Sequence, residues 1–401
     1  MKKKFDKRSF VQKRLYTYHF LNDGITFVLP TLMASFYILF QLTWFQMGLI
    51  FALNSLAMIV GQLIVGYYTD KNISEFLMKI GLLLLAISSF LMIFSYNFVS
   101  LLIFAILSGI ALAFQHSIAY ATTSRMYFEN QDIMIGRQGA AGDVGKCIAV
   151  FSSSLIIIFI SWKFVLLSWS ILAFVFFIII THNFRNIKFK EYFMDSELKK
   201  DNIEDKDENK LKLSKFVSFI ILTVFVLHLA VYSLLITNLA TYLRIEKAGL
   251  VSRYSGFILG YVLIFGVVGA YFSGTAKKKY GMTNSIITFG IILILSIIIY
   301  LLLDISELMF TLIFYAIIGF FLFLIYPQIL AAVNDIFHVK KVGFGYGLIL
   351  SLGWFGSFLG SLIGGYFADI YSGNVFFVIS VILLIIIIQL AIIIKLQLKS
   401  L

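Results

Sequence analysis

Residues 284–303 read NSIITFGIILILSIIIYLLL, twenty residues without one charged side chain. A helix of that length rises about 30 Å, the thickness of the hydrocarbon core of a bilayer. The run lacks the ten-residue alternation of a transmembrane barrel strand, so a helix is what satisfies its backbone in lipid. Working outward, eleven runs of the same kind lie near 15–37, 45–68, 77–95, 99–121, 138–160, 164–182, 215–242, 252–274, 307–330, 344–368 and 374–396. The whole chain agrees with them. Of its 401 residues 61% are apolar and 13% charged, and the mean hydropathy is +0.97. Soluble domains average roughly 45–50% apolar and 25% charged. A soluble enzyme and a disordered chain are excluded on that ground. The expected fold is an all-α membrane protein of twelve transmembrane helices.

The charges order these runs. With the N-terminus in the cytoplasm, 28 of the 32 Lys/Arg fall on the inner side, and Lys163, Arg244, Lys247 and Arg253 are the outer exceptions. Basic residues gather on the cytoplasmic side of membrane proteins, so both termini are expected there, in a multi-pass protein of the cell membrane. The net charge of +12 therefore reads as membrane orientation, with no nucleic acid as partner. The first run follows seven Lys/Arg, as a signal peptide would, but it carries Asn22 and Asp23 and is read as a span. Residues 183–215 hold nine Lys/Arg and eight Asp/Glu. They read as a solvated cytoplasmic linker, with room for helix between Glu191 and Lys215. The chain then divides into a six-helix bundle over 1–182, a linker over 183–214 and a second six-helix bundle over 215–401. Six plus six suggests a secondary transporter that binds between its halves near the membrane midplane.

Charge inside a span is costly, about 2.5–3.5 kcal/mol at the centre on insertion scales, so it marks a cavity or a partner. Of twenty Asp/Glu, only Asp23 and Asp143 sit well inside spans. Asp23 lies roughly 13 Å into the first span, one helical turn after His19 and next to Asn22. Either these three line a polar cavity in which Asp23 carries a proton or holds a cationic group, or Asp23 hydrogen-bonds a neighbouring helix and fixes packing. Asp143 and Lys146, three apart, can pair within their helix. Two readings stand: a cavity pair broken by substrate or proton, or a lysine snorkelling to the surface beside its counter-ion. Gln115 and His116 in the fourth span, and His228 and Tyr232 on one face of the seventh, complete the candidate substrate cavity. The single cysteine, Cys147, excludes a disulfide framework and a cysteine metal cluster. No metal-ligand spacing, phosphate loop or nucleophile–base set is visible, so neither an enzyme nor a bound cofactor is expected.

Two prolines, Pro30 and Pro327, stand inside spans one and ten, where each can kink its helix. Span eleven holds eight glycines between Gly343 and Gly365, of which Gly356, Gly360 and Gly364 form a four-residue repeat suited to close helix packing.

Gly66-Tyr-Tyr-Thr-Asp70-Lys71, between spans two and three, resembles the Gly-x-x-x-Asp-Arg/Lys signature of the major facilitator superfamily, with Ile73 where the family has a further glycine. Gly274-Thr-Ala-Lys-Lys-Lys-Tyr-Gly281 is similar to its counterpart in the second half, with Lys278 at the acidic position, and Gly364-Gly-Tyr-Phe-Ala-Asp369 looks like the family's end of span eleven. Four stretches look like the fosmidomycin-resistance branch: His19-Phe-Leu-Asn22-Asp23, the Gly66–Lys71 signature, Phe114-Gln-His116 and Gly142-Asp143-Val-Gly145. Ser117, Ile118 and Asp143 depart from that branch, which tends to have Pro-Glu and Asn there. The resemblance implies a cytoplasmic gate of Gly66, Asp70, Lys71 and Arg125 acting on the N-terminus of span eleven, Gly343–Gly347. It also implies alternating access by two rocking bundles. Without a nucleotide-binding cassette, a proton gradient through Asp23 and then Asp143 is the expected energy source. Efflux of a small organic compound by antiport is the expected activity, of a monomer, with uptake by symport of a nutrient or anion as the alternative.

Overall fold

The computed structural model describes residues 2–127, 130–185, 187–193, 215–303, 305, 307–336 and 342–399. Fourteen α-helices form in them: α1 Lys2–Leu39, α2 Trp44–Thr69, α3 Ser74–Leu91, α4 Phe98–Met126, α5 Gln131–Phe159, α6 Trp162–Asn183, α7 Lys215–Tyr232, α8 Leu239–Glu246, α9 Gly249–Arg253, α10 Ser255–Tyr280, α11 Met282–Leu302, α12 Leu308–Ile336, α13 Val342–Tyr371 and α14 Val375–Lys399. Eleven helices are long and apolar enough to cross a membrane, and they match the second to twelfth runs. The first run lies in α1, which at 38 residues is long enough, but His19, Asn22 and Asp23 lower its apolar content. Helix continues through the basic N-terminal tail as far as Lys2.

Local chemistry sets the helix starts. Thr43 caps α2 in a reciprocal capping box with Gln46, and Asn97 does the same for α4 with Ser100. The seventh run, read as one span over 215–242, breaks. A wider π turn over Ser233–Thr237 separates α7 from α8. Asn238 donates its side-chain amide to the carbonyls of Ser233 (3.2 Å) and Leu234 (3.4 Å), which the helix would otherwise use itself. The linker also departs from expectation at its start. Phe189 and Tyr192 are buried in a short 3₁₀ turn that packs on α1, and Glu75 accepts the Phe189 N–H. Residues 194–214, the greater part of the linker, lie outside the described residues.

In the first half α1 packs on α5, α2 on α4, and α3 on α4 and α6. The second half pairs α10 with α12, α11 with α12 and α14, and α7 with α13 and α14. Four main contacts join the halves among the described residues: α2 with α13, α5 with α10, α1 with α8, and α4 with α13. The first is an antiparallel helix pair drawn together by glycine. A Cβ on Gly365 would stand 2.6 Å from the Trp44 carbonyl oxygen and 3.0 Å from the Gly48 Cα. Both are backbone atoms that cannot turn aside. Gly356, Gly360 and Gly364 face the other way, onto Val226, Ala230 and Leu234 of the α7 segment, so the four-residue stripe packs inside the second half.

Gly365→Ala is therefore expected to cost about 1–3 kcal/mol through overpacking of the α2–α13 contact. Gly274→Ala, in open space on α10, is expected to be neutral or to stabilise by up to about 1 kcal/mol. Thermal unfolding of the purified variants in detergent measures both. Equal melting temperatures would show that this contact does not limit the fold.

Candidate functional site

Two glycines bring α5 against α1. A Cβ on Gly142 would lie 2.6 Å from Asp23 Oδ2 and 2.7 Å from His19 Nε2, and Gly145 packs on the Phe20 carbonyl. In the space they leave, five side chains from three helices meet. Asp23 receives Lys146 Nζ at 3.1 Å, His19 Nε2 at 3.4 Å and His116 Nε2 at 3.5 Å. Lys146 also donates to Asp143 Oδ1 at 2.9 Å. His19, Asp23 and His116 are buried. Lys146 thus turns inward, between two carboxylates, and the snorkelling alternative falls away.

Aromatic rings wall this cluster. Tyr120 sits 5.7 Å from the His19 ring and 6.0 Å from the His116 ring, and Tyr346 of α13 lies 5.5 Å beyond it. From the second half, Tyr232 and Tyr326 come within electrostatic reach of Lys146, Asp143 and Asp23. His228 is buried and stacks on Tyr326, with centroids 6.1 Å apart, beside the Leu322 carbonyl. The set therefore straddles both halves. Asn22 and Gln115 are fully buried, and neither hydrogen-bonds to the charged cluster. Below it, Gln12, Thr123 and Gln138 tie α1, α4 and α5 together by side-chain hydrogen bonds of 3.0–3.2 Å.

A second set closes one end of the α2–α13 pair. Asp70 Oδ1 accepts the Gly343 N–H at 2.8 Å, and Oδ2 accepts the Phe344 N–H at 2.9 Å. Arg125 of α4 pairs with the same carboxylate, donates to the Thr69 carbonyl at 3.3 Å and lies 5.5 Å from the Phe193 ring centroid. A carboxylate on the free N–H groups of a helix start, beside a guanidinium, is favourable on both counts. Gly66 lets the backbones meet, since a Cβ there would stand 2.6 Å from the Gly343 oxygen. Lys71 stands apart from this set, over the Tyr67 ring at 4.5 Å and the Tyr68 ring at 5.5 Å.

The opposite end carries the same device. Asp369, at the end of α13, accepts the Trp44 N–H at 2.6 Å and the Phe45 N–H at 3.0 Å. Each helix of the pair ends on an aspartate that caps the start of the other. Sequence reasoning assigned Asp369 no role, yet a signal existed. Gly66-x-x-x-Asp70 and Gly365-x-x-x-Asp369 repeat one pattern at the ends of two spans. Tyr120 and Tyr326 carried no comparable signal, because a tyrosine in a span is common on packing faces.

A family model described as Major Facilitator Superfamily matches residues 15–348. No curated protein matches the chain. Among solved structures, a bacterial homologue of the human lysosomal transporter Spinster, in an inward-facing and occupied conformation, superposes with a TM-score of 0.75 at 13% identity, covering 97% of each chain. The nucleoside transporter NupG superposes with a TM-score of 0.71 at 15% identity, covering 97% of this chain and 99% of that one. At such identities the likeness is one of fold.

Asp369→Ala is expected to open its own end and leave the other closed. Spin labels at Leu39 and Tyr371 report one end, and labels at Lys71 and Lys278 the other, in a Cys147→Ser background. The first distance should lengthen and broaden while the second holds. Two unchanged distributions would refute a closing role for Asp369.

Proposed function

The chain belongs to the Major Facilitator Superfamily, and on that premise we propose that it is a proton-coupled secondary transporter that expels a small organic compound by alternating access. The observation that carries this reading is Lys146 held between Asp23 and Asp143, with His19 and His116 on the same carboxylate. A proton placed on Asp23 cancels the charge that holds the ammonium there. Lys146 then keeps Asp143 alone, and the α1–α5 contact at this point loses its ion pair. The wall of this space reaches the second half through Tyr120 and Tyr346, whose ring centroids lie 5.5 Å apart. Substrate enters the same aromatic-walled space, so proton and substrate exclude one another, as antiport requires.

In this reading α1 is the twelfth span, both termini are cytoplasmic, and the protein works as a monomer in the cell membrane. Asp70 and Arg125 then close the cytoplasmic side and Asp369 the outer side. Rocking of the bundles breaks one clip at a time. No cofactor takes part; the proton gradient supplies the energy.

Accumulation of fosmidomycin in naturally sensitive cells tests substrate branch and coupling together. Cells making the protein should hold less drug than cells without it. A protonophore and Asp23→Asn should each abolish the difference. Equal accumulation, with membrane insertion verified, overturns the link to that drug. Efflux that survives both the protonophore and Asp23→Asn overturns the proton role.

A further inference from the structure

The geometry at Asp23 points to a second use of that carboxylate. His19 and Asp23 sit one turn apart on α1, and His116 reaches them from α4. The Nε2 of each imidazole faces a different oxygen of Asp23, at 3.4 and 3.5 Å, and one ligand atom from each of the three residues lies within 4.8 Å of the others. Neither Nδ1 has a hydrogen-bond partner among the described residues, so the polar contacts of both rings converge on one point. We propose that His19, Asp23 and His116 form a binding site for a first-row divalent transition-metal ion, which replaces the Lys146 ammonium at Asp23.

Distances and donor type support this. Metal bonds of about 2.1 Å to nitrogen and oxygen place tetrahedral donors about 3.4 Å apart. With Oδ2 as the Asp23 ligand the separation from His19 Nε2 already has that value, with Oδ1 the separation from His116 Nε2 does, and the other donors close from within 4.8 Å. Two imidazoles and one carboxylate suit zinc, iron(II), cobalt or manganese, and leave positions open for water or a further ligand. Gly142 keeps the α5 side free beside the donors, where any larger side chain would press on Asp23 Oδ2 and His19 Nε2. The obstacle is Lys146, a cation 3.1 Å from Asp23. Its second partner resolves that obstacle. Asp143 holds the same ammonium at 2.9 Å, so Lys146 can withdraw to it without being left alone in a low-dielectric site. The ammonium now stands where the metal charge would stand. Binding at equilibrium requires nothing of the transport reading and survives its failure.

The test uses the purified full-length protein without a histidine tag, stripped with chelator and titrated with Zn²⁺ by calorimetry and with Co²⁺ by visible absorption. One ion per chain is expected, with ligand-field bands from nitrogen donors. Losing even an outer-shell partner weakens metal sites about 10–100-fold, so His116→Ala and Asp23→Asn should each weaken binding by at least about 100-fold. Lys146→Met should tighten it, an outcome that a misfolded variant cannot give. No binding to the unaltered chain, or binding that His116→Ala leaves intact, overturns the site. So does Lys146→Met that weakens binding while the protein keeps its melting temperature.

Discussion

An ammonium group buried between helices must have a negative partner, and Lys146 has two. Breaking a buried pair by removing one partner costs about 3–5 kcal/mol, because the remaining charge is left without compensation. Sharing one cation between Asp23 and Asp143 avoids that cost while leaving a choice of which carboxylate is satisfied. The rest of the site follows from this constraint. Glycines at 142 and 145 bring α5 close enough to α1 for the lysine to reach Asp23. The histidines and tyrosines around it are polar enough to sit beside charge.

The α2–α13 pair answers a different constraint. Two helices can slide past each other only if their contact is smooth, yet their ends carry unpaired N–H groups that need acceptors. Glycine supplies the smooth contact, and an aspartate at each end supplies the acceptor. Between the tips one hydrogen bond, from the Ser351 hydroxyl to the Ile59 carbonyl at 3.0 Å, also spans the pair.

Much of this was legible in the sequence. Eleven of the twelve apolar runs coincide with helices long and apolar enough to cross a membrane, and the first lies within α1. His19 and Asp23 advertised themselves by one-turn spacing in an otherwise apolar run. Other features lay beyond a linear reading. His116 meets them only through the packing of α4 on α1, 93 residues of chain later. Lys146 could point either way along its helix, and only its neighbours decide. The break in the seventh span escaped because Asn238 is one polar residue in an apolar run, and its effect acts through the backbone carbonyls behind it. Phe189 and Tyr192 were masked by the charges that follow them. The glycine stripe of span eleven was visible as a packing face, but whether it met its own half or the other was not.

The two clips are alike except in one respect. Each consists of a carboxylate accepting two backbone N–H groups, and only the Asp70 end adds a guanidinium. The backbone contributions nearly cancel when one end is weighed against the other. What remains is Arg125, a charged contact worth about 1.5–3 kcal/mol. That difference corresponds to roughly ten- to a hundredfold in the ratio of two populations. Arg125, a side chain on a helix outside the clipped pair, therefore favours closure of the Asp70 end over the Asp369 end.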